Sequence, residues 1–214
     1  MMICPLSVYD ELRDKSVEEI KSAIRGFKQT IGKLKKKIER ERFFPAEIYL
    51  CPSDDVVLSC TREYLEMAIK ALEEKGVKYK RSQAEEKAVL FNDRIAEIVE
   101  ISLRIGSWCL PHLYTFTIKE GRVERSEDDF TNPIDLDVDS FQCELKKLYL
   151  GEWRAYYSPE RFGVHILDGT QWELKVKFAD GKSKSWGGSN DYPYNFDSLL
   201  DLLQIVDSED CNDR

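Results

Sequence analysis

The sequence predicts an α+β fold, helices packed on small antiparallel β-hairpins, and three observations carry that expectation. Trp172, Leu174, Val176 and Phe178 alternate with Glu173, Lys175 and Lys177, the period of a strand with one buried and one wet face. Val17, Ile20, Ile24, Phe27, Ile31, Leu34 and Ile38 recur at spacings of three and four, the period of a helix with a narrow apolar seam. Strand-like and helix-like stretches do not alternate regularly along the chain, as a doubly wound parallel sheet requires.

The stretch from Asp168 to Leu203 is the most strongly specified. After the strand 172–178, Asp180-Gly181 predicts a type I′ turn, and Lys182–Trp186 the returning strand. Gly187-Gly188-Ser189-Asn190-Asp191 reads as a loop of turn formers, a tight corner that uses the φ freedom of glycine. Tyr192-Pro193-Tyr194 is extended, the proline disfavouring helix before it. Asn195 is placed as the N-cap of a last helix, with Tyr194 and Leu199 as its hydrophobic staple. Phe196, Leu199, Leu200 and Leu203 line one face of that helix.

The strings Leu167-Asp-Gly-Thr-Gln-Trp172, Phe178-Ala-Asp-Gly181, Gly188-Ser-Asn-Asp-Tyr-Pro193 and Asn195-Phe196 resemble the C-terminal module of an uncharacterised family of small bacterial proteins with a DGTQW…GSNxYPxNF pattern. The likeness runs from about Trp153 onward. It implies a folded module and carries no activity with it.

Length sets the scale of the rest. A chain of 214 residues fits one domain or two small ones with a substantial core. The expected division is a helical or α+β part over 1–130, a C-terminal α+β module over 134–206, and a disordered acidic tail over 207–214, with the polar stretch Ser126–Pro133 as linker. The two parts can also form one compact domain. The opening Met1-Met2-Ile3-Cys4-Pro5-Leu6 lacks the basic start and apolar core of a secretion signal, and no apolar run approaches bilayer length. A cytoplasmic location, with no membrane partner, is the expectation. Six widely scattered cysteines fit free thiols in a reducing compartment.

The N-terminal elements follow from local signals. Ser16 and Glu19 form a capping box for a helix over 16–42, whose seam is expected to pack inside the chain or, failing that, to zip two copies into a homodimer. Residues 46–51 read as a short strand, and Thr61–Lys75 as a helix stopped by Gly76. Val77–Lys80 is a further short strand. Ser82 and Glu85 open a second capping box, and Ala88, Phe91, Ile95, Ile98, Ile101 and Ile105 suggest a long helix to about Ile105. Leu113–Lys119 and Arg122–Arg125 form a hairpin about Glu120-Gly121. Phe141, Leu145, Leu148 and Tyr149 mark a helix over about 139–156.

The chemistry-bearing patterns are sparse. Cys109 and His112 have metal-ligand spacing without a second pair, and a zinc site would require Cys51, Cys60 or Cys143 to converge on them. His112 and His165 are the two histidines, and nothing nearby marks a cysteine as activated. Asp135, Asp137 and Asp139 alternate with Ile134, Leu136 and Val138, a charged strand edge rather than a calcium loop, which would carry a glycine and a terminal glutamate. The Gly187-Gly188-Ser189 corner could form an anion nest, opposed by Asp191 and Asp197. The sequence contains no P-loop, dinucleotide fingerprint or HExxH. No metal or other cofactor is therefore expected, and no catalytic residue is assigned.

The formal net charge of −8 argues against direct nucleic-acid binding, although residues 28–42 are basic and 120–144 and 207–213 acidic. The leading expectation is a non-enzymatic protein-interaction module, monomeric or dimeric through helix 16–42. Its candidate recognition surface is Trp186, Gly188, Ser189, Asn190 and Tyr192, where aromatic side chains sit beside a glycine loop. Two alternatives stand: an enzyme with an inter-domain cleft, and an acidic decoy of a nucleic-acid-binding protein.

Overall fold

A computed structural model of the chain describes residues 4–45, 51–107, 109–127 and 130–205, with the backbone alone for 127, 130–133 and 135. The expected strand over 46–51 and the expected disordered tail 207–214 fall, wholly or mainly, outside the described residues. The fold is α+β as predicted, with a seven-stranded, mostly antiparallel sheet. The chain divides into two compact units, residues 1–81 and 82–214.

The first unit is built on three helices, α1 (Pro5–Arg13), α2 (Val17–Glu41) and α3 (Asp54–Glu74). Pro5 stands at the first turn of α1, where its missing N–H is not needed. The capping box of α2 is present. The Ser16 amide donates to Glu19 Oε2 at 2.9 Å, and the Glu19 amide donates to Ser16 Oγ at 3.3 Å. The Ser16 bonds also hold the Glu19 carboxyl below its ordinary range. The seam turns inward: Ile20 and Ile24 pack with Leu12, Ala68, Ala71 and Leu72 in one core, and the Phe27 ring lies 5.9 Å from that of Tyr64. α3 begins at Asp54, seven residues earlier than Thr61, with Ser53 at its N-cap position. Gly76, at φ +77°, follows α3 as expected. Val77–Lys80 is not a strand. Among the described residues it finds no partner strand, and Val77 and Tyr79 pack on the helical core instead.

The second unit opens with α4 (Gln83–Asp93), capped by Ser82 and Glu85. The predicted long helix is cut short there. A single 3₁₀ turn covers Ile95–Glu97, and β1 (Ile98–Ser107) takes the rest. The run Ile98-Val-Glu-Ile-Ser-Leu-Arg-Ile105 satisfies both periods, and its density of β-branched residues decides for strand. Ile101 and Leu103 fall on the buried face, with Ile105 packed beside them.

β2 (Leu110–Lys119), β3 (Arg122–Glu127) and β4 (Phe130–Asp137) continue as an antiparallel meander. Residues 126–127 and 130–133 of the expected linker are thus paired strand residues, and the two compact units divide at Arg81–Ser82. Asp137 ends β4 and caps α5 (Val138–Lys147): Oδ1 accepts from the Ser140 amide at 3.0 Å. The triad Asp135, Asp137 and Asp139 is accordingly split between an edge strand and a helix. α5 ends earlier than expected, and Tyr149, at φ +50°, turns the chain into a 3₁₀ turn at Leu150–Glu152.

β5 (Tyr156–Tyr157), β6 (Thr170–Phe178) and β7 (Ser183–Ser189) complete the sheet in the order β4-β3-β2-β1-β6-β7-β5. β6 pairs with β1 and is buried on alternate residues as predicted. The two hairpin turns differ in type. Glu120 (φ +49°) and Gly121 (φ +76°) make the tight turn with two positive φ angles. At Asp180-Gly181 only Gly181 (φ +81°) is left-handed, and the Gly181 amide donates to Phe178 O, a three-residue loop instead of type I′. α6 (Phe196–Leu202) closes the chain over the same core, with Phe196, Leu199, Leu200 and Leu203 buried as expected.

Candidate functional site

The C-terminal motif string forms a corner that is held from inside. Trp172 projects to the buried face of β6, and its Nε1 donates to Asp191 O at 2.8 Å. This indole lies where a side chain on Gly188 would have to be: a Cβ there would sit 2.5 Å from Trp172 Nε1 and 2.6 Å from Asp191 O. β7 therefore runs on through Gly187, Gly188 and Ser189, correcting the loop assigned to them. Glycine serves close approach here, and neither Gly187 nor Gly188 has positive φ.

Asn190, at φ +52°, turns its side chain back, and Oδ1 accepts from the Thr170 amide at 2.8 Å. Asp191 is fully buried and accepts from Arg161 through both oxygens, from Nε at 2.6 Å and from Nη2 at 2.9 Å. That pairing neutralises the corner's buried acidic group. Asn195 stands at the N-cap of α6 but caps nothing with its side chain. It accepts from Trp153 Nε1 at 3.0 Å and donates to Leu148 O at 2.6 Å.

The residues expected to form a recognition surface are therefore distributed through this corner. Trp186 is 2% exposed and packs edge-on against Phe91 and Trp153, so it is a core side chain and not a surface one. Gly188 is buried beneath Trp172. Ser189 accepts from Gln171 Nε2 at 2.6 Å, Asn190 pins Thr170, and Tyr192 is half-buried, stacked on Trp172 at 6.2 Å.

A cleft of about 650 Å³ opens on the other face of the same strands. Strand alternation puts Arg104 of β1, Glu173 of β6, Gly187 of β7 and Tyr156 of β5 in one row across that face, each paired in register with the next. The neighbouring row runs Pro111, Gly106, Gln171, Ser189. Gly106 and Gly187 leave the floor without side chains, and Ser185 contributes a hydroxyl from β7. Arg104, Gln171 and Glu173 are all exposed, and Tyr156 stands 59% exposed at the end of its row. Among the described residues the side chains of Arg104 and Glu173 enter no hydrogen bond or ion pair. All the lining residues belong to the second unit.

The sequence pattern does not single out Arg104, Tyr156 or Glu173 as site residues, and it offers Gly187 only as part of an anion nest. The first lay inside a stretch read as helix, although the polar set Glu100, Ser102, Arg104 and Gly106 alternates with the apolar one, which is the signal that marks a wet strand face. Of the cysteine and histidine candidates, Cys109 and His112 are exposed around the β1–β2 turn, with His112 stacked on Tyr114 at 6.4 Å. Cys143 is exposed on α5 and His165 in a loop, whereas Cys51 and Cys60 belong to the first unit. Among the described residues no group of three or more His, Cys, Asp or Glu side chains comes together to hold a metal ion. No described helix is long and apolar enough to cross a membrane.

Comparison with known proteins returns no matching family model, no matching curated protein and no matching solved structure.

Proposed function

We propose that this protein is a binding module whose second unit takes a small polar ligand in the open-face cleft. The observation that carries this reading is the convergence of Arg104, Gln171, Glu173 and Ser185 over a floor of two glycines. The volume is of the size that encloses small ligands, roughly 300–1,000 Å³. Polar groups of both signs over a flat, side-chain-free floor favour orientation of a bound molecule. The corner behind the floor supports the same reading: Trp172, Asn190 and the Arg161–Asp191 pair hold β6 and β7 in place, and preorganised sites bind better than loose ones. The string that resembles the pattern of the small bacterial family lies in that supporting corner.

The test is a fragment screen on the full ¹⁵N-labelled chain, mapped by amide shifts. Hits are expected to move Arg104, Gly106, Glu173 and Gly187 together. Hits that bind only elsewhere, or a library that moves none of these amides, would overturn the reading.

A protein-contact reading also has an observation in its favour. Leu110 is 77% exposed and Leu167 fully so. Leu110 begins β2 at one end of the sheet, and Leu167 comes three residues before Thr170, which begins β6 at that same end, since Ser107 is paired in register with both Leu110 and Thr170. Large exposed apolar residues gathered in one place mark contact surfaces. Leu110→Asp with Leu167→Asp should abolish capture of such a partner without lowering the melting temperature. A captured partner that is unaffected by the double variant would set this reading aside.

A further inference from the structure

The row Arg104–Glu173–Gly187–Tyr156 has a charge pattern that points to one ligand class, given the reading of the cleft as a binding site. We infer that the cleft takes a zwitterionic α-amino acid with an aromatic or long apolar side chain, its carboxylate on Arg104, its ammonium on Glu173 and its side chain over Gly187 against Tyr156.

Arg104 and Glu173 are register-opposed on adjacent antiparallel strands, with side chains on the same face. Their Cα atoms are consequently about 4.5–5.5 Å apart. A cation and an anion stand side by side at the cleft, and among the described residues neither side chain is hydrogen-bonded or ion-paired to the other or to a third group. Any ligand covering this row takes water away from both groups, and a buried charge requires an opposite charge or good hydrogen bonds. A purely anionic ligand such as a phosphate meets repulsion from Glu173, and a purely cationic one meets repulsion from Arg104. A neutral sugar offers hydroxyls to both but no countercharge to either, and hydrogen bonds between ions are the stronger kind. A molecule carrying a carboxylate and an ammonium on one carbon answers both groups at once, at the spacing that adjacent strands impose.

The rest of the row determines what such a molecule carries besides. Beyond Glu173 the next position is Gly187, which adds no side chain, and beyond it stands the exposed ring of Tyr156. The ligand side chain would lie on that bare floor and end against the ring. Aromatic contacts of this kind favour flat or long apolar groups. The cleft volume of about 650 Å³ leaves room for them.

The experiment is an amide-shift titration of the full ¹⁵N-labelled chain with three ligands of one skeleton. These are L-phenylalanine, 3-phenylpropionate (which lacks the ammonium) and 2-phenylethylamine (which lacks the carboxylate). Phenylalanine is expected to move Arg104, Glu173 and Gly187 and to bind at least about tenfold more tightly than either analogue. Arg104→Gln should erase its advantage over phenylethylamine, and Glu173→Gln its advantage over phenylpropionate. Both positions are exposed, and an unchanged spectrum elsewhere certifies that each variant is folded. Equal binding of the three ligands would overturn the inference. So would cleft amides that answer to methyl glucoside or inorganic phosphate but not to phenylalanine, an outcome that leaves the broader binding reading standing. Cleft amides that answer to nothing in the panel or in the fragment screen would remove both.

Discussion

Arg161 grips Asp191 through two hydrogen bonds, and the two residues are unequally buried: the Asp191 carboxylate is fully enclosed, whereas the Arg161 side chain is 18% exposed. The guanidinium also lies over the rings of Phe162 and Tyr157, at 4.4 and 5.1 Å from their centroids. Breaking a buried pair typically costs about 3–5 kcal/mol, because a charge is left without its partner. Removing Arg161 strands a carboxylate that cannot reach water, while removing Asp191 frees a cation that can. Arg161→Met should therefore destabilise the second unit more than Asp191→Asn. Urea unfolding of the two variants checks the order, and the reverse order would contradict the account of this corner.

Gly188→Ala tests the close approach of the Trp172 indole. The added methyl would sit 2.5 Å from Trp172 Nε1 and 2.6 Å from a backbone oxygen, so the indole and the Asp191 carbonyl must both move. Overpacking of this kind costs typically about 1–3 kcal/mol. The variant should melt earlier and lose part of its near-ultraviolet tryptophan dichroism. An alanine variant as stable as the parent would mean that the corner yields freely.

Lys184 gives a pH prediction. Its Nζ lies 4.8 Å from the Phe91 ring centroid and 4.9 Å from that of Trp186. Burial, aided by the charge of Lys87, pushes its pKa below the ordinary lysine value. In the folded chain the proton therefore leaves earlier than in the unfolded chain, where a lysine titrates near 10.4. Between the lowered value and the ordinary one the unfolded state holds more proton, so this group adds stability as pH rises through that window. Lys184→Met should be more stable than the parent at neutral pH, with the difference shrinking as pH rises toward 10. A difference that does not change with pH would contradict the burial of the amine.

In the first unit, Ile24→Ala removes a side chain that is 4% exposed in the contact with α3. Such truncations cost about 2–5 kcal/mol. Loss of helical dichroism at a lower temperature, with the second unit's tryptophan signal intact, is the expected result. A simple fall in assembled mass with unchanged melting would assign the seam to a partner instead.

What was legible in the sequence follows a physical division. β6, α2, the capping boxes at Ser16 and Ser82, and α6 each rest on period and local bonds within about a turn or a hairpin, and these were read correctly. The stretch 95–105 was not, because Ile95, Ile98, Ile101 and Ile105 keep a helical period while Ile101, Leu103 and Ile105 keep a strand one, and β-branched content together with pairing to β2 and β6 decides for strand. The corner misled for a similar reason. Gly187 and Gly188 look like turn residues until Trp172, sixteen residues before the second of them, is known to lie against it. The cleft depends on the register of four strands, which no local pattern contains, so its row became visible only with the sheet assembled.

The central claim is that Arg104 and Glu173 act as a complementary pair toward one bound molecule, and exchanging them tests it most directly. Titration of phenylalanine into Arg104→Glu, Glu173→Arg and the double exchange should give a pattern of coupling. Each single variant places two like charges in the row and is expected to weaken binding by at least about tenfold. The double exchange restores one charge of each sign, with the ligand turned end for end, and should recover to within about threefold of the parent. Single variants that bind as the parent does, or a double exchange no better than the worse single, would contradict it.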